Sequence, residues 1–230
     1  MSQALPINAA SSNWLLWQLA DSAFPTGGFA HSGGLEAAMQ AGEVSTAAEL
    51  EQFLIDALHQ AGWAFLPVAN SAYDAPENLE TLDQICDSFL SNHVSNRASR
   101  VQGRALLSAC EKSFPVPAVL ELAAAARDKK LARHLAPLWG ALLKLLEIPR
   151  RDTQQLALFL TLRGILSAGV RLGLTGPFQA QQIQYRLGHE QQRVLAQCSS
   201  LTVDDLAQTA PLLDLFQGMQ DRLYSRLFQT

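Results

Sequence analysis

With 230 residues, 48% of them hydrophobic and 17% charged, the chain is long enough for one large domain with a well-buried core. A net charge of −4 speaks against a general nucleic-acid binder. Cys86, Cys110 and Cys198 lie far apart with no C-x-x-C pair, which argues against a zinc knuckle, a redox pair or a disulfide framework and for a reducing compartment.

Residues 1–12 are polar and aperiodic and read as a flexible tail ahead of one domain spanning 13–230. They lack the basic start and apolar centre of a secretory signal, so a cytoplasmic protein is expected. The apolar segment Trp14–Ala20 leads into Pro25-Thr26-Gly27-Gly28-Phe29-Ala30-His31-Ser32-Gly33-Gly34-Leu35-Glu36, where four glycines in eight residues mark a loop. Gly28 and Gly33 have P-loop spacing, but Gly34 and Leu35 stand where Lys and a hydroxyl would be needed for phosphate and Mg²⁺. Ala30-His31-Ser32-Gly33-Gly34 approximates a nucleophile elbow, which would make Ser32 a serine hydrolase nucleophile; that motif needs a strand in front of it, and little chain lies upstream to build a sheet. A contact loop is the third reading.

The stretch Leu19–Glu36, with its P-x-G-G-F-x-(His or Tyr)-S-x-G-L-E core, resembles the signature of the urease accessory protein F (UreF) family. The resemblance implies a helical, non-enzymatic chaperone. It bridges a second accessory protein, UreD (also called UreH), and the nickel GTPase UreG, and regulates GTP-dependent nickel insertion into apo-urease. It implies a homodimer with no directly bound cofactor or metal, nickel and GTP being handled by the partners, and neither nucleic acid nor membrane among its targets. Pro25, Gly27, Gly28, Phe29, His31, Ser32, Gly34 and Glu36 would then form a partner-binding loop.

Beyond the loop, Ser32–Ala41 is expected to be helical and to stop at Gly42. Thr46 and Glu49 form a capping-box pair, and Leu50, Phe53, Leu54, Ala57, Leu58, Ala61 and Phe65 share one helical face up to a kink or end at Pro67. Leu82, Ile85, Cys86, Phe89 and Leu90 recur at helical spacing, with Cys86 as a buried thiol and His93 continuing that face as a hydrogen-bonded core-edge histidine.

Arg97, Arg100 and Arg104, at i, i+3 and i+7, put a basic stripe on the next helix, either a solvated face or an anchor for partner carboxylates. Arg97-Ala98-Ser99 through Gly103-Arg104-Ala105-Leu106-Leu107 resembles a second family block and favours the anchor. Pro115 and Pro117 precede an Ala-rich helix, Ala118–Arg127. His134, before Leu135-Ala136-Pro137-Leu138-Trp139-Gly140, resembles the third block and is read as structural or interface, not as a metal ligand.

Leu156–Leu174 is apolar almost all round and reads as a buried helix, with Arg163 and Arg171 disfavouring a membrane span. Its end, Val170–Pro177, resembles the fourth block, with Arg171 capping carbonyls or reaching a partner. Gln179–Gln197 reads as one polar helix with Ile183, Leu187 and Val194 inward and His189 and Glu190 solvated. A last helix begins at Pro211, with Leu212, Leu215, Phe216, Met219, Leu223 and Leu227 as its apolar face.

The terminus carries the family's S-R-L-F block in Tyr224, Ser225, Arg226, Leu227 and Phe228. By the resemblance, Tyr224, Arg226, Leu227 and Phe228 bind a partner, segment 222–230 orders on that partner, and Arg226 braces the loop around His31. Related chains often carry His where this one has Gln220-Asp221, and commonly end in Ser where it has Thr230. The fold expected is a single all-α domain of roughly nine or ten helices. A generic helical scaffold unrelated to urease is the competing reading.

Overall fold

The computed structural model describes residues 9–229. These form one all-α domain of twelve α-helices without a strand. They are α1 (Ala9–Ala20), α2 (Leu35–Gln40), α3 (Ala47–Gln60), α4 (Leu66–Asp74), α5 (Leu79–Phe89), α6 (His93–Ser113), α7 (Pro117–Asp128), α8 (Leu135–Leu145), α9 (Arg150–Arg171), α10 (Pro177–Arg186), α11 (Gly188–Cys198) and α12 (Pro211–Met219). Of the expected tail, residues 1–8 lie outside the described residues, and α1 starts at Ala9. None of the described helices is long and apolar enough to cross a membrane.

Local chemistry sets several boundaries. The α3 capping box forms as the sequence predicts: Glu49 N–H donates to Thr46 Oγ1 at 3.2 Å, and Thr46 N–H donates back to the Glu49 carboxylate at 2.9 Å. The N–H and hydroxyl of Ser45 donate to the same oxygen, and these bonds hold the Glu49 carboxyl down to about 2. Because the folded value is depressed from 4.5, this stabilisation is complete above about pH 4.5 and lost as pH falls toward 2. Glu49→Gln should therefore lower stability at neutral pH, and its difference from wild type should shrink over that acid window in denaturation midpoints measured against pH.

At the other end of the same apolar run, Pro67 has no N–H for the carbonyl of Trp63. The chain answers with a π-turn over Ala61–Phe65, and Ala207 N–H supplies the missing donor to Trp63 at 3.0 Å.

The core is organised on the crossing of α4 and α8, whose side chains are buried almost throughout. Around this pair lie α3, α5, α6 and the 22-residue α9. Inside it, buried Gln154 donates to Asn70 Oδ1 at 2.7 Å and to the Ser199 carbonyl at 2.8 Å, tying α4 and α9 to the end of α11. Cys86, Cys110 and Cys198 are free and buried, and burial pushes their thiols up to about 12, 12 and 11.

Four expectations need correction. His93 is not on the α5 face: Asn92 accepts from Val94 N–H, starts a new helix at His93, and leaves its side chain 69% exposed. Gln179–Gln197 is two helices, broken at Leu187–Gly188, where glycine makes continuation costly. Glu190 is not solvated alone; it pairs with His59 at 2.6 Å and with Arg193 at 2.7 Å. Finally, α12 stops at Met219 and turns Leu213, not Leu212 or Leu215, into the core. Its inward face runs through Leu213 and Gln217 and continues at Gln220 of the following 3₁₀ turn, and the sequence hides it because two of these are polar.

Candidate docking site at the glycine loop

The loop is shaped by its glycines and then held from outside. Gly27, Gly33 and Gly34 have φ of 75, 65 and 91°, a region in which a Cβ is strained. Gly34 is also pressed against α12, where an added Cβ would meet the Gln217 nitrogen at 3.1 Å and the Leu213 carbonyl at 3.3 Å. Gly28 begins a 3₁₀ turn (Gly28–Ala30) without positive φ, and a Cβ there has only Gln102 and Thr26 side-chain atoms at 3.9 Å. Behind the loop lies an apolar cavity of about 630 Å³, bordered by Phe24, Phe65, Trp139 and Ile165. Little packing supports the turn from beneath.

Its support comes from the C-terminal segment. Glu36, in the first turn of α2 and 2% exposed, accepts from Leu227 N–H at 2.6 Å, from Phe228 N–H at 3.1 Å and from Gln220 Nε2 at 2.7 Å. Gln229 N–H donates to the Ala30 carbonyl at 2.8 Å, and Gln40 Nε2 to the Ser225 carbonyl at 2.9 Å. Arg171, at the end of α9, donates to the Phe29 carbonyl at 2.7 Å. Its guanidinium lies between the Phe29 ring at 3.8 Å and the Phe228 ring at 4.2 Å, a double cation–π contact. Loop, tail and α9 thus meet at one arginine.

This brace is Arg171 and not Arg226, as the sequence reading had it. Arg226 turns away to Asp221 at 3.4 Å. Phe228 is the tail's buried anchor, while Tyr224 and Leu227 stay exposed together with Phe29 of the loop. Pro25 and Gly27 border the same cavity rim. Ser32 is fully buried, and its hydroxyl accepts the Glu36 N–H at 3.4 Å, so it closes the first turn of α2 and does not stand out as an elbow nucleophile would.

The basic stripe of α6 adjoins this region. Arg97 grips Asp221 with two bonds, at 3.1 and 2.8 Å, and His93 adds a third contact at 3.2 Å. The Arg97 bonds are the main reason that the Asp221 carboxyl sits below the usual range. Burial, and then the charge of Arg97, push the His31 imidazole down, so it favours the neutral form. Arg100 and Arg104 line an open cleft further along α6.

His134 lies apart from the loop and is wholly buried. Its backbone N–H donates to Asp83 at 2.7 Å, while its ring nitrogens meet Ser99 at 3.1 Å and Asp87 at 3.0 Å, joining α5, α6 and α8. The sequence reading missed Gln220 and Asp221 as site residues. Their signals were polarity inside an otherwise apolar run and the departure from the His that related chains often carry there.

A family model, UreF, matches residues 44–188. The chain is also 38% identical over 233 residues to urease accessory protein F of Oryza sativa subsp. indica, covering 98% of this chain and 89% of the relative. It belongs to the UreF family. Urease accessory protein F of Arabidopsis thaliana is 39% identical over 219 residues, 94% of this chain and 91% of its own length. Urease accessory protein UreF of Trichodesmium erythraeum is 28% identical over 230 residues, 96% and 99%. These UreF relatives match far beyond the glycine loop, so the resemblance noted in the five sequence blocks extends over nearly the whole chain.

Proposed function

We propose that this chain is a non-enzymatic urease maturation chaperone. In this reading it bridges UreD/UreH and the nickel GTPase UreG, and regulates GTP-dependent nickel insertion into apo-urease. The observation that carries the reading is the near-full-length similarity to proteins named urease accessory protein F. The geometry supports it at the loop, where Phe29, Tyr224 and Leu227 expose apolar surface beside a rigidly held tail, as a docking surface requires. Nickel and GTP are the partners' to hold, and the setting is the cytoplasm. Exposed Trp14 and Trp17 on α1, and Phe178 and Tyr185 on α10, are surfaces on which a homodimer or a partner could bury apolar area.

The test is co-purification with UreD/UreH and UreG, followed by urease activity after addition of nickel and GTP. Gly28→Asp is the variant of choice, because position 28 has room for a side chain and no positive φ to strain. It should fold normally and lose partner binding at least about tenfold, since a charge placed at an interface centre is desolvated. Wild-type protein that binds neither partner would make this a scaffold unrelated to urease.

A further inference from the structure

We propose that Arg100 and Arg104, with Arg133 packed behind Arg104, make the cleft beside Arg97 a carboxylate-docking site for an acidic segment of a partner protein, next to the arginine that the chain's own Asp221 already engages. The proposal rests on reading α6 as a docking face, but not on which protein docks.

The stripe is divided by its pairing. Arg97, Arg127, Arg150, Arg186, Arg193 and Arg226 each have a carboxylate partner. Arg100, Arg104 and Arg133, like Arg151, Arg163, Arg171 and Arg222, form no ion pair among the described residues; what sets the three apart is that they lie together. Asp87, also on the cleft wall, is engaged by Asn96 at 3.0 Å and His134 at 3.0 Å, and Arg100 acts on it only through its charge, without an ion-pair contact.

The three guanidiniums are held together by the fold. Arg133 sits in the α7–α8 connection with φ of 67°, and its carbonyl is packed directly against Gly103 of α6, beside Arg104. Arg133 Nε is shielded from solvent and has no hydrogen-bond partner among the described residues. Burial, then the charges of Arg133 and Arg100, weaken the hold of Arg104 on its proton. Like charges packed this closely favour an anion beside the two that face the cleft, Arg100 and Arg104.

The cleft encloses about 680 Å³ and is walled by Arg97, Arg100, Arg104, His93 and Asn96. Asp221, gripped through both oxygens by Arg97, shows that this wall accepts a carboxylate. Arg100 and Arg104 are one helical turn apart, about 6 Å along α6. Two carboxylates on the same face of an extended segment are spaced by about 7 Å, which matches. An open cleft lined by arginines on successive turns of one helix suits an acidic segment better than a single compact ion.

The experiment is fluorescence anisotropy of a fluorescein-labelled hexa-aspartate peptide with the full isolated chain. Wild type should bind, with affinity falling as salt rises. Arg104→Gln combined with Arg133→Gln should weaken binding at least tenfold, and Arg100→Gln alone, which leaves the α7–α8 connection intact, should weaken it severalfold. Arg127→Gln, which removes a cation already paired to Glu111, should leave it unchanged. Equal binding by wild type and both cleft variants overturns the proposal. So does a wild type that ignores the peptide, whether or not inorganic phosphate shifts its arginine side-chain resonances. Since no urease component is present, failure here leaves the chaperone reading intact, and failure of co-purification leaves this result intact.

Discussion

Gly140→Ala is expected to destabilise the protein by about 3 kcal/mol or more, the upper end of the overpacking range. A Cβ at position 140 of α8 would fall inside the carbonyl oxygen of Ala69, with the Ala69 carbonyl carbon at 2.8 Å and the Tyr73 nitrogen at 2.9 Å. All three neighbours are backbone of α4, so no side chain can swing away. The helices must separate, and with them the best-buried layer of the core, including Leu138, Leu142 and Leu143. Alanine's better helix propensity offsets only about 1 kcal/mol. Gly164→Ala is the matched control: nothing lies within 4 Å of the added methyl, so propensity alone acts and stability should hold or rise. Urea denaturation midpoints decide the matter, and equal midpoints for wild type and Gly140→Ala would show that the α4–α8 crossing is not so tight.

Glu36→Ala should release the C-terminal segment while the helical domain stays folded. The substitution strips the acceptor from the N–H groups of Leu227 and Phe228 and from the Gln220 amide at once. Two of these donors lie on buried residues, and an unsatisfied buried donor costs about 1–3 kcal/mol. Letting the tail open restores their bonds to water, so opening becomes the cheaper outcome. With about 2.8 kcal/mol of local stability lost, amide exchange at Leu227, Phe228 and Gln229 should quicken about 100-fold. Far-ultraviolet circular dichroism should be nearly unchanged, because the segment adds no α-helix. Arg171 would keep the Phe29 carbonyl but lose one of its two rings. By contrast Arg226→Ala, which removes an exposed pair with Asp221, should cost at most about 1 kcal/mol in the free protein. Unchanged exchange at the tail amides of Glu36→Ala would show that Phe228 packing alone holds the segment.

The chaperone reading gives this latch a use. The same tail that Glu36 holds bears Tyr224 and Leu227 on its exposed side, so a loosened tail would present them in no fixed geometry. Glu36→Ala should therefore weaken partner binding through disorder, Gly28→Asp through direct obstruction, and only the first should change tail exchange.

Much of the fold is legible residue by residue because its signals are local. The Thr46–Glu49 capping box, the Gly42 stop with φ of 82°, the break at Pro67 and the inward faces of α3 and α10 all depend on groups within about two helical turns. The glycine loop is equally plain, since three of its four glycines occupy angles that other residues avoid. At the last helix a distant contact outvoted the local rule. The apolar periodicity of the last helix put Leu212 and Leu215 inward, but Gly34 offers α12 a seat only along the Leu213–Gln217 face.

The sequence by itself determined an all-α chain, the place of its loop and the family to which its motifs point, because helix periodicity, caps and glycine are properties of neighbouring residues. Apart from local caps such as Glu49, tertiary structure decided what the charged side chains do. Glu36 meets Leu227 across 191 residues, Arg171 meets Phe29 across 142, and Arg97 meets Asp221 across 124. No spacing rule reaches so far. Whether an arginine in this protein is a brace, an internal pair or an open cation depends on which carboxylate or ring the packed helices bring to it.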